Sequence, residues 1–159
     1  MHDDIKKRLN DEGFTIVRGL LDPIEIEFYR EVVKEAINLT KVDFGVTFGM
    51  RTLEEQQKLY DSGRSQTMKS KHLDGRAVDL VAYFGSDISW ELNVYDDICD
   101  AMAEAARRHR LAVKWGAAWS EGDIRIYTGT AEDAMNAYVD LRRSQGRRPF
   151  IDAPHFEMM

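Results

Sequence analysis

Apolar residues recur from Ile26 through Tyr29 and Val33 to Ile37 at the three- and four-residue spacing of one buried helix face. Asp22 can cap that helix, and Pro23, with its fixed φ and missing N–H, suits the first position, so the pattern predicts a helix from Asp22 to near Thr40. The period then changes. Phe44 to Phe48 is short, β-rich and alternating, which predicts a strand ahead of a turn at Gly49. Thr52 with Glu55 three positions on forms a capping box, and Gly63 stands past the end of the helix that the box opens. After a polar loop, Ala77 to Tyr83 predicts a strand buried on at least one face. A long helix is expected after Ser89, with Trp90, Val94, Tyr95, Ile98, Met102 and Ala105 as its inner stripe and the basic residues 107–110 complementing its C-terminal dipole.

Leu111 to Trp115 predicts a further short strand. Thr130 and Asp133 open a second capping box, for a helix carrying Met135, Tyr138, Val139 and Leu141. Pro154 forces an extended approach to a closing strand at His155 to Met158. Residues 1–20 read as a short polar helix and then apolar Phe14 to Val17, an edge strand or entry segment. No repeat, linker or low-complexity tract intervenes. The order predicts an α+β fold: a single domain over residues 22–159, with helices packed on a small, mostly antiparallel sheet, and residues 1–21 as an N-terminal extension.

Composition narrows the class. The 159 residues, 43% hydrophobic and 31% charged, suit one ordinary folded domain that needs no staple. The single cysteine, Cys99, falls in an apolar-periodic segment and reads as a buried, inert thiol. A net charge of -6 argues against broad attraction to nucleic acid or anionic lipid. The N-terminus opens with acids and lacks the apolar core of a secretory signal, and no stretch approaches the ~20 apolar residues of a membrane span, so accumulation in the cytoplasm is expected.

Candidate chemistry sits on two of the four histidines. His2 is terminal, and His109 follows basic residues at a helix end, where an exposed imidazole complements the dipole. His72 and His155 differ, because each stands at a loop-to-strand junction near a carboxylate. His72 leaves a loop, Gly75 permits a tight path, and Asp79 sits in a strand otherwise built of Ala, Val and Leu. A buried carboxylate there needs a cation or a metal beside it. Asp152 and His155 flank a stiffening proline. Two imidazoles and one carboxylate make a catalytic-type zinc set with a fourth position open for water. Spacing alone leaves this open against a satisfied turn histidine and a salt-bridged aspartate.

The segments "GMRTLEEQQKLYDSG", "SKHLDGRAVDL" and "DAPHFE", in this order, resemble the zinc peptidases that include bacterial D-alanyl-D-alanine carboxypeptidases and bacteriophage L-alanyl-D-glutamate endopeptidases. That family carries G-x-R-T, then S-x-H with x-x-G-x-A-x-D, then a C-terminal acid-x-x-H, and all of these are present. The resemblance implies His72, Asp79 and His155 as ligands of one zinc ion, and Asp152 as the residue that acts as general base and then acid. It implies that Arg51 holds a substrate carboxylate or the developing oxyanion, and that Ser70 hydrogen-bonds substrate or supports a ligand. Glu157 could orient a ligand imidazole. Trp115 and Trp119 fall where the family carries a W-G-G-D-W-like segment lining the cleft; Trp115 is expected to touch substrate, with core packing as the alternative for both. Ala117 and Ala118 replace the glycine and acid of that segment.

By resemblance the expected function is that of a phage endolysin, cutting L-alanyl-D-glutamate bonds in peptidoglycan stem peptides as a monomer, with a holin-like, membrane-permeabilising partner for access to the wall. The alternatives are a D-alanyl-D-alanine carboxypeptidase of wall metabolism and, from a different class, a non-catalytic zinc-dependent wall-binding module.

Overall fold

The computed structural model describes residues 23–159, with side chains from residue 29 onward. The expected elements in residues 1–20, the cap at Asp22, the face position of Ile26 and His2 lie outside the described residues.

Helix α1 (Pro23–Leu39) buries Tyr29, Val33 and Ile37, as its spacing predicts. Strand β1 (Asp43–Phe48) follows, then helix α2 (Leu53–Asp61), whose capping box is complete: the Thr52 side chain accepts from the Glu55 N–H, and the Glu55 side chain accepts from the Thr52 N–H. A short 3-10 helix (Lys71–Asp74) leads into β2 (Ala77–Phe84), which turns back as β3 (Asp87–Ser89). Helix α3 (Leu92–His109), strand β4 (Val113–Trp115), a second 3-10 turn (Ile124–Ile126), helix α4 (Ala131–Ser144) and strand β5 (His155–Met158) complete the order. The Thr130 and Asp133 box on α4 closes as expected.

The sheet runs β1-β2-β5-β4, with β3 also on β2, and every pairing among the described residues is antiparallel. β2 is central and buried on both faces over most of its length, which explains its almost unbroken apolar run. Trp115, Tyr29, Tyr95, Phe44 and Phe156 fill the core between the sheet and the α1–α3 pair. Their polar ends are satisfied where they are buried. Tyr29 donates its hydroxyl hydrogen to the Phe156 carbonyl at 3.0 Å, and the Trp115 indole N–H donates to Ala153 O at 2.8 Å. Cys99 is fully buried and burial pushes its thiol pKa up, in keeping with an inert role.

The sequence pattern misplaces several residues. Trp90 does not open the inner stripe of α3; it precedes the N-cap Glu91, is 65% exposed, and stacks on Tyr95 at 6.5 Å. The reason is the unforeseen strand β3, which holds Asp87–Ser89 against β2 and delays the helix. The rest of the stripe is buried as expected. Leu141 is exposed, and β4 begins only at Val113. His109 is not a free imidazole: its Nε2 meets Glu35 at 2.5 Å beside an Arg108–Glu35 contact of 2.6 Å, tying α3 to α1.

Asp96 on α3 is buried, and its Oδ1 has no hydrogen-bond partner among the described residues. Burial first, then the nearby carboxylates of Glu132, Asp100 and Asp97, push its pKa up to about 6. The folded value lies above the unfolded one of about 3.9, so the group favours folding at low pH and that contribution is lost as pH rises through about 6. Asp96→Asn is expected to raise stability near neutral pH by about 1–2 kcal/mol and to flatten the decline between acid and neutral pH, read by urea unfolding across that range.

Candidate active site

Sequence-local devices aim His72 before any long-range contact is made. The Ser70 hydroxyl accepts the His72 N–H at 3.3 Å and caps the 3-10 helix, and Gly75 ends it at φ 75, a left-handed conformation that favours glycine. The Arg51 N–H donates to His72 O at 2.8 Å, which ties the segment before α2 to this helix. On the ring, Nδ1 lies 2.6 Å from the Gly49 carbonyl. A carbonyl can only accept, so Nδ1 carries the hydrogen and Nε2 of the neutral ring presents a lone pair.

Strand register supplies the other two donors. Asp79 on β2 pairs directly with His155 on β5, so their side chains share one face at close-pair distance. The His155 ring is fixed from behind by Glu157, whose carboxylate lies 3.1 Å from Nε2 and takes that hydrogen, leaving Nδ1 as the free lone pair. The result is a near-equilateral triangle: His72 Nε2 to Asp79 Oδ1, His155 Nδ1 to Asp79 Oδ1, and His72 Nε2 to His155 Nδ1 are each 3.1 Å. All three atoms are acceptors when the rings are neutral, so the triangle is stable only with positive charge among them. Tetrahedral zinc with bonds of about 2.0–2.1 Å spaces its ligand atoms roughly 3.3 Å apart, close to this triangle, and N, N and O donors suit that ion. His72, Asp79 and His155 therefore form a fitting metal site, and among the described residues no other group of His, Cys, Asp and Glu converges in this way.

The electrostatics carry the same message. Burial opposes the Asp79 carboxylate, yet hydrogen bonds with His155 and His72 outweigh it and hold the group well below the usual carboxylate range. Burial disfavours the His155 imidazolium, but Asp79 and Glu157 outweigh that effect and push its pKa up to about 9. Without a metal, the triangle draws in a proton instead. Asp152 behaves differently: burial first, then the Asp79 charge, raise its pKa, against the pull of His155, His72 and Arg51.

These groups line one open cleft of about 1020 Å³, together with Arg51 and Ser70. Arg51 is braced at Nη1 by Gln56 Oε1 at 2.7 Å and at Nη2 by Asp79 Oδ2 at 3.5 Å. The expectation that Trp115 touches substrate does not survive: it is fully buried, stacked on Phe156 at 6.3 Å, and absent from the cleft wall. The cleft-lining tryptophan is Trp119, with its ring 5.4 Å from that of His155. Two positions went unnoticed in the sequence. Gly116 donates its N–H to His155 O at 2.8 Å and accepts from the Asp152 N–H at 2.9 Å, so closely that a Cβ would stand 2.4 Å from Asp152 O. The glycine beside Trp115 was the available signal for it. Gln56 is fully buried, bridging Arg51 to Ser65 Oγ at 2.9 Å and Thr67 O at 2.6 Å; nothing in its polar helical context marks it.

The profile of the phage L-alanyl-D-glutamate peptidases matches residues 19–159. The chain belongs to that family. It is 27% identical over 95 residues to an L-alanyl-D-glutamate peptidase of Escherichia phage T5, covering 57% of this chain and 69% of the relative. Another such peptidase, of Listeria phage A118, is 38% identical over 113 residues, which is 71% of this chain but 34% of the relative. The crystal structure of the Serratia marcescens L-Ala D-Glu endopeptidase ChiX superposes with a TM-score of 0.63 at 28% identity, over 91% of this chain and 84% of that one. The α+β fold with its candidate site on the sheet face is thus a peptidase fold, and the candidate metal-binding triangle, Asp152 and Arg51 stand together on the wall of its cleft.

A divalent metal at this site is expected to stabilise the peptidase. Zinc at about 100 times its dissociation constant adds about 2.7 kcal/mol, or a Tm gain of roughly 5–10 °C for a chain of this size. The gain should vanish in His155→Ala and Asp79→Ala, read by thermal unfolding of metal-stripped protein with and without zinc.

Proposed function

We propose that this chain is a zinc-dependent endopeptidase of the endolysin type, which hydrolyses the L-alanyl-D-glutamate bond of peptidoglycan stem peptides, with residues 22–159 as its catalytic domain. The observation that carries the reading is the triangle of three lone pairs beside a partly buried carboxylate, Asp152, that no ligand role consumes. The relatives, themselves L-alanyl-D-glutamate peptidases, supply the bond.

His72, Asp79 and His155 would hold the zinc, which when bound lowers the pKa of water toward ~7 and polarises a carbonyl. The protein's own groups handle the proton and the substrate. Asp152 takes the proton of the attacking water and returns it to the leaving amine; its raised pKa brings it nearer the value such a shuttle needs. The stiff Ala153–Pro154 link and the Gly116 backbone hold it in register with His155. Arg51, braced by Gln56, offers forked donors to a substrate carboxylate or the developing oxyanion. Ser70 spends its acceptor on the His72 N–H and keeps its hydroxyl hydrogen for a substrate group. Glu157 and the Gly49 carbonyl fix the ligand tautomers.

On this reading the enzyme is a monomer made in the host cytoplasm, and it reaches the wall once a holin-like protein has opened the membrane. No helix among the described residues is long and apolar enough to cross a membrane itself.

Digestion of purified peptidoglycan decides the bond: a new D-glutamyl amino terminus is expected, and free D-alanine in its place would assign a carboxypeptidase. Asp152→Asn is expected to keep its zinc, by metal analysis, while cleavage falls by about 10²–10⁴-fold. An Asp152→Asn protein with full activity removes that residue from the proton-transfer role.

A further inference from the structure

The walls of the cleft carry positive charge that the hydrolytic chemistry does not use. Lys58 on α2, Arg64 and Lys69 on the loop after it, and Arg142 on α4 line the same cavity as the metal triangle. Arg64 and Lys69 are exposed and have no ion-pair partner among the described residues. Among the described residues Lys58 forms an ion pair with Glu54 alone, with side chains 72% and 79% exposed, where mutual attraction is weak. Arg142 reaches the Arg148 carbonyl at 3.4 Å through Nη2, while its Nε is buried with no partner.

The carboxylates on the same walls do not balance these cations. Glu55 is closed onto the Thr52 backbone, Glu157 and Asp79 are engaged by imidazoles, and Asp152 is drawn by the charges of His155, His72 and Arg51. Cations gathered in one cleft of a chain whose net charge is -6 invert the local sign and raise the concentration of anions there. A glutamate residue within a peptide uses its amine and one carboxyl for chain linkage, so its other carboxyl stays free beside the bond to be cut. Amidation turns that carboxylate into a neutral carboxamide, which keeps an acceptor but loses the charge-assisted bond.

We infer that the rim of Lys58, Arg64, Lys69 and Arg142 selects stem peptides whose carboxylates are free over stems that are amidated. This deepens the peptidase reading and rests on it. The ammonium and guanidinium groups meet the acidic side of the stem while the triangle and Asp152 act on the scissile bond.

The test uses two synthetic stem peptides, identical except that the D-glutamate carboxylate of one is a carboxamide. Cleavage of each by the zinc-loaded chain is followed by the new amino terminus, and equilibrium binding of each is measured by calorimetry on the Asp152→Asn chain. The free-carboxylate peptide is expected to be favoured by about tenfold or more in both readouts, with an advantage that shrinks as salt rises. Arg64→Gln with Lys69→Gln, both at exposed positions, should reduce the preference severalfold, with cleavage of the free-carboxylate peptide falling more than that of the amidated one; Arg142→Gln, tested separately, should act the same way. Equal binding and equal cleavage of the two peptides overturns the inference and leaves the peptidase reading standing. So does a preference that survives both sets of substitutions. A binding preference without cleavage of either peptide sinks the peptidase reading and upholds the selection.

Discussion

Three lone pairs held 3.1 Å apart repel one another until positive charge stands among them, and much of this fold is arranged to keep them there. Each donor is braced from outside the triangle. The Gly49 carbonyl holds His72, Glu157 holds His155, and Arg51 steadies the far oxygen of Asp79. Partial burial makes the arrangement demanding, because solvent screens little of the repulsion. The large opposed influences on Asp79 and His155 are the electrostatic record of that demand.

The braces depend on the core behind them. The register of β2 against β5 sets Asp79 opposite His155, and the same pairing sets Val78 opposite Phe156. Phe156 stacks on Trp115, whose indole N–H holds the Ala153 carbonyl next to Asp152. Packing and the candidate metal site thus share one strand. A shift of one residue in β5 would turn His155 away from the cleft and Phe156 out of the core together.

Local signals were legible in the sequence, and signals that depend on distant partners were not. The Thr52 and Thr130 capping boxes, the apolar run of β2 and the left-handed turn at Gly75 are properties of a few consecutive residues. β3 escaped notice because Asp87–Ser89 is only three residues long with its one apolar side chain, Ile88, exposed, and it acquires strand character only from β2; Trp90 then pulled the expected helix start forward. His72 and Asp79 suggested a metal pair by their spacing, but their union with His155 across 83 residues rested on the resemblance. Trp115 and Trp119 could not be told apart by type; only the tight course of the chain at Gly116 decides which ring faces the core and which the cleft. Gln56 carries the Arg51 brace from inside an exposed polar helix, where no pattern singles it out.

The last strand in chain order, β5, lies in the middle of the sheet, between β2 and β4. A growing polypeptide that already displays His72 and Asp79 still lacks the third donor and has a gap where β5 must insert. Synthesis runs from the N-terminus, so the centre stays unassembled until the segment bearing His155 has emerged from the ribosome. The three candidate donors therefore come together only after the strand bearing His155 has been synthesised and inserted between β2 and β4.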